Sequence, residues 1–109
     1  MFVLNEDCEA KICGEGVSRK VMAWSDELML CEITFEAGGE GALHSHPHQQ
    51  ISYVAEGEFE FTVDGDTQRV CKGDSIYIPS QAVHGLKCVK AGVILDIFNP
   101  KREDFLTNS

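Results

Sequence analysis

Four histidines make up the whole imidazole content of this chain, and they fall in two short stretches: His44, His46 and His48 in HSHPH, and His84 alone. His44 and His46 are two residues apart, so on a strand both rings leave the same face and can aim at one point. Gln50 keeps that parity four residues after His46, across the local perturbation at Pro47. If the fold brings His84 to the same place, three imidazoles and one side-chain oxygen form a donor set for a borderline divalent cation. Zn, Ni, Co, Fe and Mn all suit such a set. His48 reads as an exposed residue, or one that orients a neighbouring imidazole, rather than as a ligand. At Gln50 an amide oxygen is neutral, where a carboxylate would cancel part of the metal's charge. A centre of His44, His46, Gln50 and His84 would therefore keep nearly its full dication charge. That favours Lewis-acid work on carboxylate substrates over oxygen activation at a two-histidine, one-carboxylate iron.

The elements that must position these residues are short strands. In Leu28 to Glu36, Met29, Cys31, Ile33 and Phe35 alternate with Leu30, Glu32, Thr34 and Glu36, which predicts a strand. Val17 to Trp24 reads the same way, with Val17, Arg19 and Val21 on one face and Trp24 in core or interface. Ile51 to Glu56 is a strand that Gly57 breaks, and Glu58 to Val63 follows with Phe59, Phe61 and Val63 inward. Asp64-Gly65 is a two-residue hairpin signal. Thr67 to Cys71, Ser75 to Ile78, Val83 to Lys90 and Gly92 to Phe98 complete the strands, and the tail after Pro100 is one helical turn or a strap. Many short strands with regular turn signals and no long amphipathic helix predict an all-β sandwich or barrel, of which the double-sheet jelly roll is one form.

Composition bounds the partners. A chain of 109 residues with 43% apolar and 25% charged content is one ordinary globular domain, 1–109. The net charge of −9 repels nucleic acid and anionic membranes, so neither is a partner, and an anionic substrate must be caught by a local positive site. No stretch is long and apolar enough to span a bilayer, and the N-terminus shows no signal-peptide pattern, so a cytoplasmic protein is expected. The five cysteines lack metal-binding spacing and read as reduced residues filling apolar space. Apolar residues on both faces of Gly92 to Phe98 predict a homodimer.

The spacing as a whole resembles the two-motif signature of the cupins. Gly38, His44, His46, Gln50 and Gly57 stand in register in the first motif, and Gly73, Pro79 and His84 in the second, with fifteen residues between the motifs. The usual pattern has Glu at Gln50, Gly at Gln81 and often Asn at Cys88. That resemblance implies a double-stranded β-helix, or jelly-roll barrel, with one divalent transition metal. A closer one follows: HSHPHQQISYVAEGEFEF and the ending LDIFNPKREDFL resemble the pectin-degradation cupins of the KdgF type over nearly the whole chain. These convert ring-form 4,5-unsaturated monouronates, from pectin and alginate breakdown, into linear ketonised sugars. Their pattern implies His44, His46, His84 and Gln50 as metal ligands, Asp96 and Arg102 as catalytic residues, and Phe98 in the substrate pocket. Gln49, where close relatives have Glu, and His48 are expected beside that pocket.

From its own surroundings Asp96 has two readings, an outer-face charge or a carboxylate projecting into the barrel, and Arg102 is either solvated or a carboxylate clamp. The resemblance selects the second in each case. Two other functions fit the same fold: a metal-dependent dioxygenase of a small organic substrate, and a non-catalytic cupin that binds a small acid.

Overall fold

β-strands dominate residues 1–107, which the computed structural model describes. After a 3-10 turn at Asn5–Asp7 come β1 (Lys11–Gly14), β2 (Val17–Trp24), β3 (Met29–Phe35), β4 (Glu40–His44), β5 (Gln49–Val63), β6 (Asp66–Cys71), β7 (Ser75–Ile78) and β8 (His84–Asn99). A short helix, α1 (Glu103–Thr107), closes the described chain. Asn108 and Ser109, the end of the predicted tail, lie outside the described residues.

All strand pairs are antiparallel, and β5 and β8 carry the architecture. The first half of β8 runs between β4 and the end of β5, while its second half runs between β3 and the start of β5. Both strands thus serve both layers of a jelly-roll barrel. The sequence pattern ended a strand at Gly57 and split Val83 to Phe98 into two. Instead both runs continue through a corner. Gly57 sits at φ +87°, where a Cβ would come within 2.6 Å of the Lys90 carbonyl, and a Cβ on Gly92 would strike the Glu56 carbonyl. Glycine bends the strand here rather than stopping it.

The core follows the predicted alternation. Met29, Cys31, Ile33 and Phe35 line the inner face of β3, and Phe59 and Phe61 that of β5, all buried. Phe35 and Phe59 meet edge to face at 5.2 Å between ring centres. Burying such a side chain contributes roughly 1.5–3 kcal/mol. At Asp64-Gly65 φ is +47° and +83°, the left-handed pair that the hairpin requires. Cys31 and Cys88 fill apolar space as expected, but Cys13 and Cys71 are exposed, and all five thiols are free. Trp24 is exposed rather than core, with the Lys101 ammonium 5.4 Å from its ring centre. The tail is both helical turn and strap: Phe105 and Leu106 pack on the core, and Phe105 meets Phe98 at 5.7 Å.

Candidate metal centre and active site

Strand register delivers the histidines. His44 ends β4 and His84 begins β8, and the two are direct cross-strand partners with ring centres 4.4 Å apart. His46, in the link to β5, brings its ring to 5.5 Å from His44 and 4.9 Å from His84. One ligand atom from each of these three residues lies within 4.8 Å of the others, a spacing that could hold a metal ion.

Each ring is oriented the same way. Nδ1 of His44 donates to the Ala42 carbonyl at 2.8 Å, that of His84 to Ala82 at 2.9 Å, and that of His46 to His48 at 3.1 Å. Carbonyls only accept, so these contacts assign the proton to Nδ1 and leave a lone pair on every Nε2. Burial pushes the His46 and His84 imidazoles below their ordinary pKa, with the Arg102 charge adding to it, which favours their neutral forms. Two contacts are what a cation site calls for, although His48 Nδ1, outside that donor set, is also buried without a partner among the described residues. His84 Nε2 is buried with no hydrogen-bond partner among the described residues. His46 Nε2 faces Gln50 Oε1 at 3.0 Å, one acceptor opposite another. The donor set therefore fits a divalent transition metal, with borderline nitrogen and oxygen donors that admit several ions.

Behind Gln50 runs a buried polar chain. The Gln50 amide donates to Ser52 Oγ at 3.0 Å, and the Ser52 hydroxyl donates to Asp96 Oδ1 at 2.6 Å. Asp96 stands opposite Ser52 across β5 and β8 and projects into the barrel, so its inward reading holds. Burial raises its carboxyl to a pKa of about 6, while donation from Ser52 and Gln50 and the Arg102 charge pull the other way.

A cavity of about 380 Å³ joins these groups, lined by His44, Gln50, His84, Asp96, Phe98 and Arg102 among others. His44 is exposed, giving the histidine cluster an open side. Arg102 is only 12% exposed, lies 5.1 Å over Phe98 and 4.1 Å over Phe105, and binds Asp104 through Nε and Nη2 at 3.1 and 3.0 Å. Its guanidinium reaches the cavity already paired. Phe98 sits 5.9 Å from His46, a buried wall between the histidines and the tail.

Two expected pocket residues stand elsewhere. Gln49 is on the outer face of β5, where its amide oxygen accepts from the Tyr77 hydroxyl at 2.7 Å. Strand alternation forces this, because Gln50 points inward. His48 lies beside His46 and Phe98, at 5.3 and 6.4 Å, but off the cavity wall, and contributes its carbonyl to His46. Two residues escaped the sequence reading. Ser52 shares the inward parity of Gln50, a signal available but masked by its plain chemistry. Arg19 shares the face of Val17 and Val21, lines the cavity, and lies 3.6 Å over Phe105 with no ion pair among the described residues.

Residues 31–98 match the Cupin domain family, and with the barrel and its histidines on the page this chain belongs to the cupins. Its resemblance narrows further. It is 36% identical over 107 residues, 96% of this chain and 97% of the relative, to the pectin degradation protein KdgF of Dickeya dadantii (strain 3937). The solved structure of KdgF from Halomonas sp. superposes with a TM-score of 0.92 at 31% identity, covering 96% of this chain and 97% of that one. An RmlC-like cupin from Shewanella frigidimarina NCIMB 400 matches with the same TM-score at 41% identity, over 95% and 94% of the two chains.

Proposed function

We propose that this cupin acts in pectin degradation as a metal-dependent enzyme that converts 4,5-unsaturated monouronates to linear ketonised sugars, the role that its likeness to KdgF points to. The observation that supports this most is the meeting around one cavity of a three-histidine cluster, a half-buried carboxyl at Asp96 and a guanidinium at Arg102. A divalent cation held by His44, His46, His84 and Gln50 would supply Lewis acidity toward the oxygens of the substrate.

The remaining work falls to this chain. In the ring form, the hydroxyl at the hemiacetal carbon must lose its proton as the bond to the ring oxygen breaks and an aldehyde forms. The ring oxygen leaves as an enolate, which takes that proton back at carbon and becomes a ketone, so the conversion is an isomerisation in which atoms and electrons balance. Asp96 Oδ takes the first proton and returns it. A carboxyl titrating near pH 6 is close enough to neutrality to do both. Ser52 holds Asp96 in place, and Phe98 keeps water from the intermediate. Arg102 orients the substrate carboxylate, which replaces Asp104 in part of its fork.

Asp96→Asn tests this reading. The variant should bind metal as the parent does and lose about two to four orders of magnitude in turnover, followed by NMR of the open-chain product. An unchanged rate would remove Asp96 from the chemistry.

A further inference from the structure

Ser52 is completely buried, and its position in the polar chain has a directional consequence. A serine hydroxyl carries one proton, and a carboxylate offers only lone pairs, so at 2.6 Å that proton goes to Asp96 Oδ1. Ser52 Oγ is then left with lone pairs alone. Whatever part of Gln50 meets it at 3.0 Å must donate, and that part is the amide NH₂. The other end, Oε1, is thereby turned to His46 Nε2. Asp96 lies behind Ser52 and also draws the amide protons, but Ser52 Oγ makes the direct contact. Without an acceptor there an amide has two nearly isosteric ends, one of which presents N–H protons and cannot hold a cation.

We propose that Ser52 is a positioning residue that fixes the orientation of the Gln50 amide, so that its oxygen rather than its nitrogen faces the cation site. This rests on the metal-binding reading above and adds a requirement to it. A neutral amide works as a ligand at this position only if an acceptor stands behind it. A carboxylate there would need no such partner, because its two oxygens are equivalent.

The test is a set of Zn²⁺ competition titrations against a chromophoric chelator, on metal-stripped full-length protein. Wild type, Ser52→Ala, Gln50→Glu and the double variant are compared. Ser52→Ala should weaken Zn²⁺ binding by about 10–100-fold in the Gln50 protein, the usual effect of losing a residue that orients a ligand. In the Gln50→Glu background the same substitution should cost no more than about threefold, well under that range. Unchanged affinity in the Gln50 protein would overturn the proposal, as would an equal loss in both backgrounds, which would mark a packing effect. A wild type that binds no Zn²⁺ would instead sink the metal-binding reading, and the role of Ser52 with it. Circular dichroism checks each fold. Should Ser52→Ala not fold, Ser52→Cys, of similar size but a poor acceptor, carries the same comparison.

Discussion

The inner faces of β5 and β8 build two regions that follow different rules. Around Phe59, with Val54 and Cys88, the interior is apolar, closed and almost without exposed surface. Around Gln50 and Ser52 on β5 and His84 on β8, with Asp96 half-buried beside them, the same two strands hold polar groups against an open cavity. Burying a polar group without a partner costs about 1–3 kcal/mol, so the second region is a poor way to stabilise a barrel. The orphaned Nε2 of His84 and the opposed acceptors on His46 and Gln50 show that cost being carried. The difference separates residues that pack the barrel from the residues proposed to carry the chemistry.

Substitutions can break or sharpen that division. The largest effect belongs to the apolar region: Phe59→Ala should lower unfolding free energy by about 3–5 kcal/mol in urea titrations, while the folded fraction keeps its Zn²⁺ affinity. A matching loss of affinity would merge the two regions. In the polar region, excess Zn²⁺ should stabilise the protein, by about 4 kcal/mol at a thousandfold its dissociation constant. His84→Ala should abolish that gain yet change apo stability by less than about 1 kcal/mol, since it removes an unpartnered buried nitrogen.

Next comes pH. The Asp96 carboxyl titrates near 6 in the folded protein, above its ordinary value of 3.8, so folding favours the protonated form. Its contribution is complete below about pH 4 and is lost as pH rises through 6, amounting to at most about 3 kcal/mol. The lowered histidines act in the opposite direction, losing stability as pH falls through the ordinary imidazole range. The stability difference between metal-free wild type and Asp96→Asn, followed across pH 4 to 7, should isolate the carboxyl; a flat difference would contradict its burial. Smallest of all, Gln49→Ala on the outer face should change stability by less than about 0.5 kcal/mol and leave Zn²⁺ affinity alone.

Much of this division was legible in the sequence. Alternation of period two marked the inward faces of β3 and β5, and paired positive φ at Asp64 and Gly65 answers the turn chemistry written there. His44, His46 and Gln50 do meet, but not by the alternation of one strand: His44 ends β4, His46 lies in the irregular link and Gln50 is in β5. What escaped has physical causes. Gly57 and Gly92 look like breaks because local propensity cannot tell a stop from a corner, and only the mutual approach of two backbones makes glycine obligatory there. Asp96 was ambiguous because inward or outward depends on register against Ser52, a partner 44 residues away. The same alternation that placed Gln50 inside sends Gln49 outside, so the pattern held the correction to the Gln49 expectation. Trp24 sits exposed at a strand end, so of its two readings, core or interface, the core one falls.

The most direct test follows the conjugated ultraviolet absorbance of an unsaturated monouronate mixed with the purified, metal-loaded protein. The absorbance should fall, stop falling after chelation, and fall again when one equivalent of divalent metal is restored. A steady absorbance with metal bound, or a loss that chelation leaves untouched, would contradict the account.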